Sequence, residues 1–507
     1  MIRAELTTHN PEGYMKRRDF LTTALTVTAA TTFPEGNGFA ADFPAVATKG
    51  DKISLSEKAV LDFQKNIRGQ VILPSSAEFE AARKIWNGSF DRRPSLIAKC
   101  ADVGDVVSAV QFARSNNILL AVRGGGHSYS GQSATDGGMV IDLSMMQRAE
   151  VDPGSKTCRL QGGALLGNLD RAGAEHGLAT TAGFVSHTGV GGLATGGGHG
   201  RLMNKFGLTV DNVRGVEIVT ADGMARKANA SENQDLHWAV RGGGGNFGIV
   251  TDFEFQLHKM DPMITSFSFT YPIDVALDVM KFYFEWDAGS PEEAATSVGL
   301  RRPSQGEPSV SIGGSFIGTP AEAEIALAKV MKYGKPINSR IAATNYVSVQ
   351  AAADKIYAHG RNYYSKSGFF NKVDPMLPVA MLDYFMKNPM PNGGISAASR
   401  TRDGAVRRVP ENATAYAHRD ALYEISVSCA WDDPAESQKW LKYSRDYWAQ
   451  VAPFATGFYI NQTTDEGSDA IRKNYRGNYD RLVEIKTKYD PTNFFHLNAN
   501  IPPKKKA

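Results

Sequence analysis

The chain has 507 residues, 42% of them hydrophobic and 21% charged, which supports two or three globular domains with sizeable cores. A net charge of +3, with the basic residues scattered, gives no case for nucleic-acid binding, and the closing Lys504-Lys505-Lys506 reads as a solvated end. Cys100, Cys158 and Cys429 form no CxxC pair, which argues against a disulfide scaffold and a cysteine zinc site.

In chain order, the first expected element is an export signal over 1–41. Met15-Lys16-Arg17-Arg18-Asp19-Phe20-Leu21 is followed by a mildly apolar run, 22–33, and then by Ala40-Ala41. The paired arginines with Phe20-Leu21 resemble a bacterial twin-arginine signal, so the expected location is periplasmic or secreted. No later apolar run approaches the length of a membrane span.

From Pro94 the pattern is strand, helix, strand. A short strand is expected over 96–98, and Val103, Val106, Val107 and Val110 recur at helical spacing through 102–116. A second strand, 118–122, delivers the chain into Arg123-Gly124-Gly125-Gly126-His127-Ser128-Tyr129-Ser130-Gly131-Gln132-Ser133. Three glycines let backbone N–H groups turn toward one anion, a nest suited to a pyrophosphate. The imidazole that follows can form a covalent bond to an electrophile. Asp136-Gly137-Gly138 then turns into a third strand, 139–143, so no helix begins where a Rossmann loop requires one. A Walker loop fails too, because no Gly-Lys-Ser/Thr follows. Another unit starts at the strand 158–161, with a helix over 165–176.

A second glycine-rich stretch runs from Gly183 to Gly200 and intersperses Phe184, Val190, Leu193, His187 and His199 among the glycines. Close backbone packing against a flat ligand explains this better than a linker does. A third loop, Arg241 to Gly245 followed by Asn246-Phe247-Gly248-Ile249-Val250, fits the same pattern, and the strand expected over 216–220 lies between the two. After Lys259 strands are expected over 266–271, 309–316 and 424–431, with helices over 275–286, 321–333 and 435–451. The last segment, 458–503, holds a helix over 479–488 stopped by Asp490-Pro491.

Four stretches, RGGGHSYSGQS, GVGGLATGGGHGRLMNKFGLTVDNV, WAVRGGGGNFGIVT and KYDPTNFFHLNANIPP, resemble in this order the flavin loops and the C-terminal signature of the vanillyl-alcohol oxidase superfamily, berberine-bridge-enzyme-like branch. The resemblance implies an α+β fold: an FAD-binding domain over 55–259 completed by 456–503, with a substrate domain over 260–455, an antiparallel sheet covered by helices. It implies FAD bonded through its 8α carbon to His127. The flavin-contacting positions implied are Arg123, Gly124, Gly125, Gly126, Ser128, Gln132 and Ser133 in the first loop. In the second they are Gly183, Val185, His187, Thr188, Gly191, Gly192, Thr195, Gly196, Gly197, Gly198, His199 and Gly200, continuing to Asp211, Asn212, Val216 and Val219. Gly248, Ile249, Val250, Asn461 and Asn498 complete the set. Val185 stands where many members carry a second, cysteinyl linkage, so the expected attachment is through His127 only. Thr188 falls beside the oxygen-reactive face, and its small side chain favours an oxidase.

The family's tyrosine base commonly sits in a Tyr-x-Asn-Tyr stretch, which reads Tyr459-Ile460-Asn461-Gln462 here, and Gln462 cannot act as a base. His199 takes the place of another common tyrosine and becomes the leading base; Tyr129 and Tyr459 are expected at the same pocket, with His418 on the substrate side or in a structural role. The expected activity is an oxidase that takes hydride from an alcohol, sugar or related small molecule and forms H2O2 from O2. A dehydrogenase using a quinone-like acceptor and a non-catalytic flavin-binding protein are the alternatives. No metal is called for.

Overall fold

The strand–helix–strand expected after Pro94 builds a four-stranded sheet in the order Gln70–Ile72, Leu96–Lys99, Met139–Asp142, Leu120–Arg123. The last three strands are parallel. Met139–Asp142 lies between two neighbours and is buried throughout, as the middle of a covered parallel sheet must be. Helix Val103–Ser115 packs Val106, Ala109 and Val110 against Leu96 and Ile141, and Asp102 caps it by accepting the Asp105 N–H. The computed structural model describes residues 42–390, 393–399, 403–462 and 466–505; the export signal expected over 1–41 lies outside the described residues.

A second, antiparallel sheet runs Ala225–Asn229, Val213–Val219, Ile249–Gln256, Thr157–Gln161, Ala149–Asp152. Phe253, Phe255 and Leu160 from this sheet share a core with Leu166 and Leu169 of helix Leu166–Ala174. Leu482, Ile485 and Tyr489 of helix Tyr479–Tyr489 enter the same core, so the chain's last segment returns to this lobe.

Between these parts the chain forms a seven-stranded antiparallel sheet. Its order is Asn338–Asn345, Met263–Pro272, Ser309–Phe316, Ala294–Arg301, Gly394–Ser399, Tyr423–Trp431, Asn362–Phe370. Helices Ala276–Asp287, Leu377–Lys387 and Ser437–Val451 cover one face through Tyr283, Met381 and Tyr447. The other face is built of small residues. One row across it reads Ser268, Gly313, Ser297, Ala398, Glu424, Phe369, each directly opposite the next.

Several elements depart from the sequence expectation. The helix expected over 321–333 is two pieces, Pro320–Ala326 and Ala328–Met331, meeting at Leu327. Strands Ala294–Arg301, Asn338–Asn345, Asn362–Phe370 and Gly394–Ser399 were not anticipated. In Ala294–Arg301 and Gly394–Ser399 the cavity residues are Ala295, Thr296, Ser297, Ser396, Ala398 and Ser399, small and uncharged, which blurs the period-two signal. A short helix, Val190–Thr195, occupies the second glycine stretch, where helical periodicity has too few apolar side chains to be visible.

Candidate active site

The lobes enclose a cavity of about 1020 Å³. One wall is made of the three glycine-rich loops, and the first two touch back to back. A Cβ on Gly125 would fall 2.4 Å from the Gly189 nitrogen, and one on Gly189 would fall 2.2 Å from that of Gly125. Only glycine at both positions allows this approach. Gly192 faces the opposite situation, with nothing within 4 Å of where a Cβ would project, so the backbone there opens onto the cavity.

His127 lies in this wall, stacked on Trp86 with ring centroids 4.0 Å apart and planes 14° from parallel. Tyr363 of the seven-stranded sheet stacks on the other face of Trp86, also at 4.0 Å. The indole N–H donates to the Tyr357 carbonyl at 2.7 Å. Asn87 fastens the same seam, its amide donating to the carbonyls of Tyr129 and Tyr363 while its Oδ1 accepts the Tyr363 N–H. Burial, reinforced by neighbouring His187 and His359, pushes the His127 pKa down to about 3. The imidazole is therefore neutral at physiological pH, and its buried Nε2 has no hydrogen-bond partner. Trp86 and Asn87 were missed by the sequence reading; they precede the glycine loop by some forty positions and carry no motif.

The facing wall is the small-residue face of the sheet, with Ser266, Ser268, Ser297, Ser396, Ser426, Ser428 and Glu424 on the cavity. Glu424 and His199 meet across the lobes: His199 Nδ1 lies 2.5 Å from Glu424 Oε2, and its Nε2 lies 3.0 Å from the Tyr416 hydroxyl. The Tyr459 ring stacks on the His199 ring at 3.6 Å. The Tyr459 oxygen accepts the backbone N–H groups of Gly198 and His199 and the Asn461 amide. Burial holds its phenol above the ordinary tyrosine range. Tyr459 thus clamps the imidazole, and both ring nitrogens of His199 already have protein partners. The carboxylate that shares the cavity with them, Glu424, was not singled out from sequence. Nothing in EISVSCAW marks it apart from an ordinary strand residue.

The cavity takes in most of the expected positions: Gly124, Gly125, Gly126, His127, Ser128, Tyr129, Gln132 and Ser133 from the first loop; Gly183, Val185, Thr188, Gly191, Gly192, Thr195, His199 and Gly200 from the second; and Gly248, Ile249, Val250, Tyr459, Asn461, Gln462 and Asn498. Others lie behind it. Arg123 is buried beside Asp142, its Nη1 3.5 Å from the carboxylate, and also donates to the Ala82 carbonyl. His187 lies outside the cavity wall, its ring 5.0 Å from His127 and 4.8 Å from His359. Gly196, Gly197 and Gly198 face protein: added Cβ atoms would strike Asn461, Tyr416 and Thr209. Asp211 forms a two-pronged pair with Arg419, both contacts 2.7 Å. Asn212 donates to the carbonyls of Phe206 and Leu208 and pairs with His258. Val216 and Val219 point into hydrophobic cores. These nine positions shape the loops from behind. His418 is buried against Asn474 and does not line the cavity.

The C-terminal segment is held to the cavity by a buried ion pair. Lys486 Nζ reaches Asp490 at 2.7 Å and the carbonyls of Asn246 and Phe495, while Asp490 accepts the N–H groups of Phe494 and Phe495. This knot joins the third glycine loop to Phe495, Leu497 and Asn498 on the cavity.

Comparison with known proteins gives two family matches, an FAD binding domain over residues 94–229 and a berberine and berberine-like segment over 458–502. An FAD-linked oxidoreductase of Dictyostelium discoideum is 31% identical over 88% of this chain and 97% of its own length. The (R)-6-hydroxynicotine oxidase of Paenarthrobacter nicotinovorans is 30% identical over 86% of this chain and 97% of its own. A structure of glucooligosaccharide oxidase from Acremonium strictum, described as carrying a 6-S-cysteinyl, 8α-N1-histidyl FAD, superposes with a TM-score of 0.80 at 25% identity, covering 88% of this chain and 100% of that one.

Proposed function

Because the chain belongs to the berberine-bridge-enzyme-like family of FAD-dependent oxidoreductases, we propose that it is an exported oxidase carrying FAD on His127 alone. Its substrate is an alcohol, sugar or related small molecule, and its second product is H2O2. The observation that carries the reading is His127 itself, a neutral imidazole in the cavity wall whose buried Nε2 has no partner in the protein. The rest of the wall fits the same group. The Ser133 hydroxyl and the Asn498 carbonyl oxygen are buried without partners, and the glycine backbone at Gly192 faces open space. Val185, buried in the wall, offers no nucleophile for a second bond.

When bound, FAD supplies the hydride acceptor and the centre at which O2 is reduced. The protein supplies position and proton transfer. Glu424 takes the proton of the substrate hydroxyl, because it is the carboxylate on the cavity. His199 Nδ1 holds that carboxylate, Tyr416 holds Nε2, and Tyr459 fixes the ring plane. His199 is thereby a positioning residue in place of the base expected from sequence. Tyr129 keeps its proton, since desolvation in the wall pushes its pKa well up, and lies edge-on to Trp86 beside His127. Arg17 and Arg18 support export of the folded, loaded protein.

The test is acid precipitation with intact-mass measurement. Wild type retains one FAD mass and a yellow pellet, and His127→Ala loses both. A mass increment persisting in His127→Ala assigns the bond to another residue. Comparing reoxidation in air with reoxidation by an added quinone separates oxidase from dehydrogenase. Retention of an Arg17→Lys, Arg18→Lys variant in the cytoplasm tests the export route.

A further inference from the structure

One cation in the cavity wall has no counter-charge. Arg201 follows the glycine stretch two residues after His199 and lines the cavity. Its Nε is buried with no hydrogen-bond partner. Its Nη2 reaches the carbonyls of Phe184 and Val349, both at 3.5 Å, the outer limit for a hydrogen bond, and the guanidinium lies over the Phe184 ring at 5.2 Å, a contact that supplies no negative charge. Among the described residues no carboxylate lies within ion-pairing distance of it. After the Tyr346 phenol, the carboxyl that acts on it is Asp170, but that carboxyl is itself buried, accepts the Gln350 amide and is pushed up to about 7, so it is only partly ionised at neutral pH. A half-buried guanidinium without a paired anion leaves part of its charge uncompensated.

Tyr357 stands beside this cation, close enough for each to act on the other's ionisation, and also lines the cavity. Its hydroxyl has no hydrogen-bond partner among the described residues. A guanidinium and a phenol, both with unused donors, face the space between the glycine loops and the substrate lobe. The first-loop nest at Gly124–Gly126 is the element suited to a pyrophosphate, and Arg201 instead reaches the Val349 carbonyl and acts on Tyr357, both of the substrate lobe.

We infer that Arg201, assisted by Tyr357, is the subsite for a carboxylate on the substrate, so that the molecule oxidised is an alcohol or amine that also carries a carboxylate group. A carboxylate fits better than a phosphate, because one planar guanidinium offers a two-pronged fork and a single positive charge. The inference rests on the oxidase reading for its chemistry, but the subsite binds its anion whether or not the flavin turns over.

The experiment uses the purified full protein and two carboxylate/amide pairs as probes, benzoate with benzamide and lactate with lactamide. Binding is read by flavin difference spectra and by thermal shift. At least one carboxylate is expected to bind saturably and at least tenfold more tightly than its amide. Arg201→Gln should weaken that binding about 10- to 100-fold with unchanged flavin content, Arg201→Lys should fall between, and Tyr357→Phe should lose less. The inference is overturned if the amides bind as well as the carboxylates, if no carboxylate binds, or if Arg201→Gln sheds flavin while keeping the carboxylate preference. Arg201→Lys keeps the test open should the glutamine variant fold poorly. A protein that holds tethered flavin and makes peroxide from neutral sugars, yet ignores carboxylates, keeps the oxidase reading and loses this one. A colourless protein with an Arg201-dependent carboxylate shift does the reverse.

Discussion

The two walls of the cavity are built by opposite means. The cofactor wall is backbone: three glycine loops pressed together so closely that Gly125 and Gly189 leave no room for a Cβ. The substrate wall is side chain: a row of small residues on an antiparallel sheet, with Glu424 set among serines. A backbone wall has one shape and fails all at once. A side-chain wall can change one residue at a time without disturbing its strands, which is where specificity can vary on a constant fold. The walls meet at Trp86–His127 on one seam and at His199–Glu424 on the other.

The largest separation of the two walls should come from Glu424→Gln. The amide keeps the size and can still contact His199, but it cannot accept the substrate proton. Turnover should fall by roughly 10²- to 10⁴-fold, while the flavin mass on the protein stays at wild-type level. Stopped-flow reduction of the flavin by substrate is the direct measurement. A loss of bound flavin in this variant would mean that Glu424 serves the cofactor wall instead.

Trp86→Ala attacks the other seam. The indole is fully buried, lies between His127 and Tyr363, and donates to the Tyr357 carbonyl. Its removal should cost about 3–5 kcal/mol of stability, read by urea unfolding, and should lower the fraction of protein carrying FAD. Trp86→Phe keeps a stacking surface and should recover much of both.

The unequal legibility of the walls in the sequence follows from the same contrast. A backbone wall needs runs of glycine, and runs are visible: the glycines of RGGGHS and of GVGG lie on the cavity because their spacing is local, while the first three of GGGHGR lie behind it. The reading overreached at Asp211, Asn212, Val216 and Val219, which a continuous motif carries along although the chain has already turned into the protein. The substrate wall takes three residues from each of five strands, so Ser268, Ser297, Ala398 and Glu424 are neighbours only after pairing. Trp86 was equally hidden, since its partners lie in two other segments. Glu424 was hidden for a related reason: His199 was conspicuous in its motif, while the carboxylate beside it comes from a strand 225 positions away.

Where the lobes adjoin away from the chemistry, Asp170 on helix Leu166–Ala174 accepts the amide of Gln350 from the substrate lobe. Burial, the dominant cause, pushes its pKa from 3.8 up to about 7. Between those values the folded protein holds a proton that the unfolded chain has released, so this group's contribution to stability is greatest below about pH 4, falls as pH rises toward 7, and levels off above. The full difference is about 4 kcal/mol as an upper bound. Asp170→Asn should flatten this slope and stabilise the protein above pH 7, measured by urea unfolding at pH 5 and pH 8. An unchanged slope would place the titration elsewhere.

The smallest effect is expected from Ser426→Ala, and it tests whether the substrate wall really tolerates single changes. Ser426 faces Ser396 and Ser367 across the sheet, and its hydroxyl donates to Gln462 at 3.3 Å. That contact is long and partly exposed, so its loss should cost no more than about 1 kcal/mol. The strand keeps its register, because the hydroxyl takes no part in the ladder. KM should therefore change by less than about fivefold, with turnover, flavin content and unfolding midpoint near wild type. A fall in turnover comparable to that of Glu424→Gln would show that the Ser426–Gln462 pair belongs to the proton-handling group, and that the substrate wall is as intolerant as the one it faces.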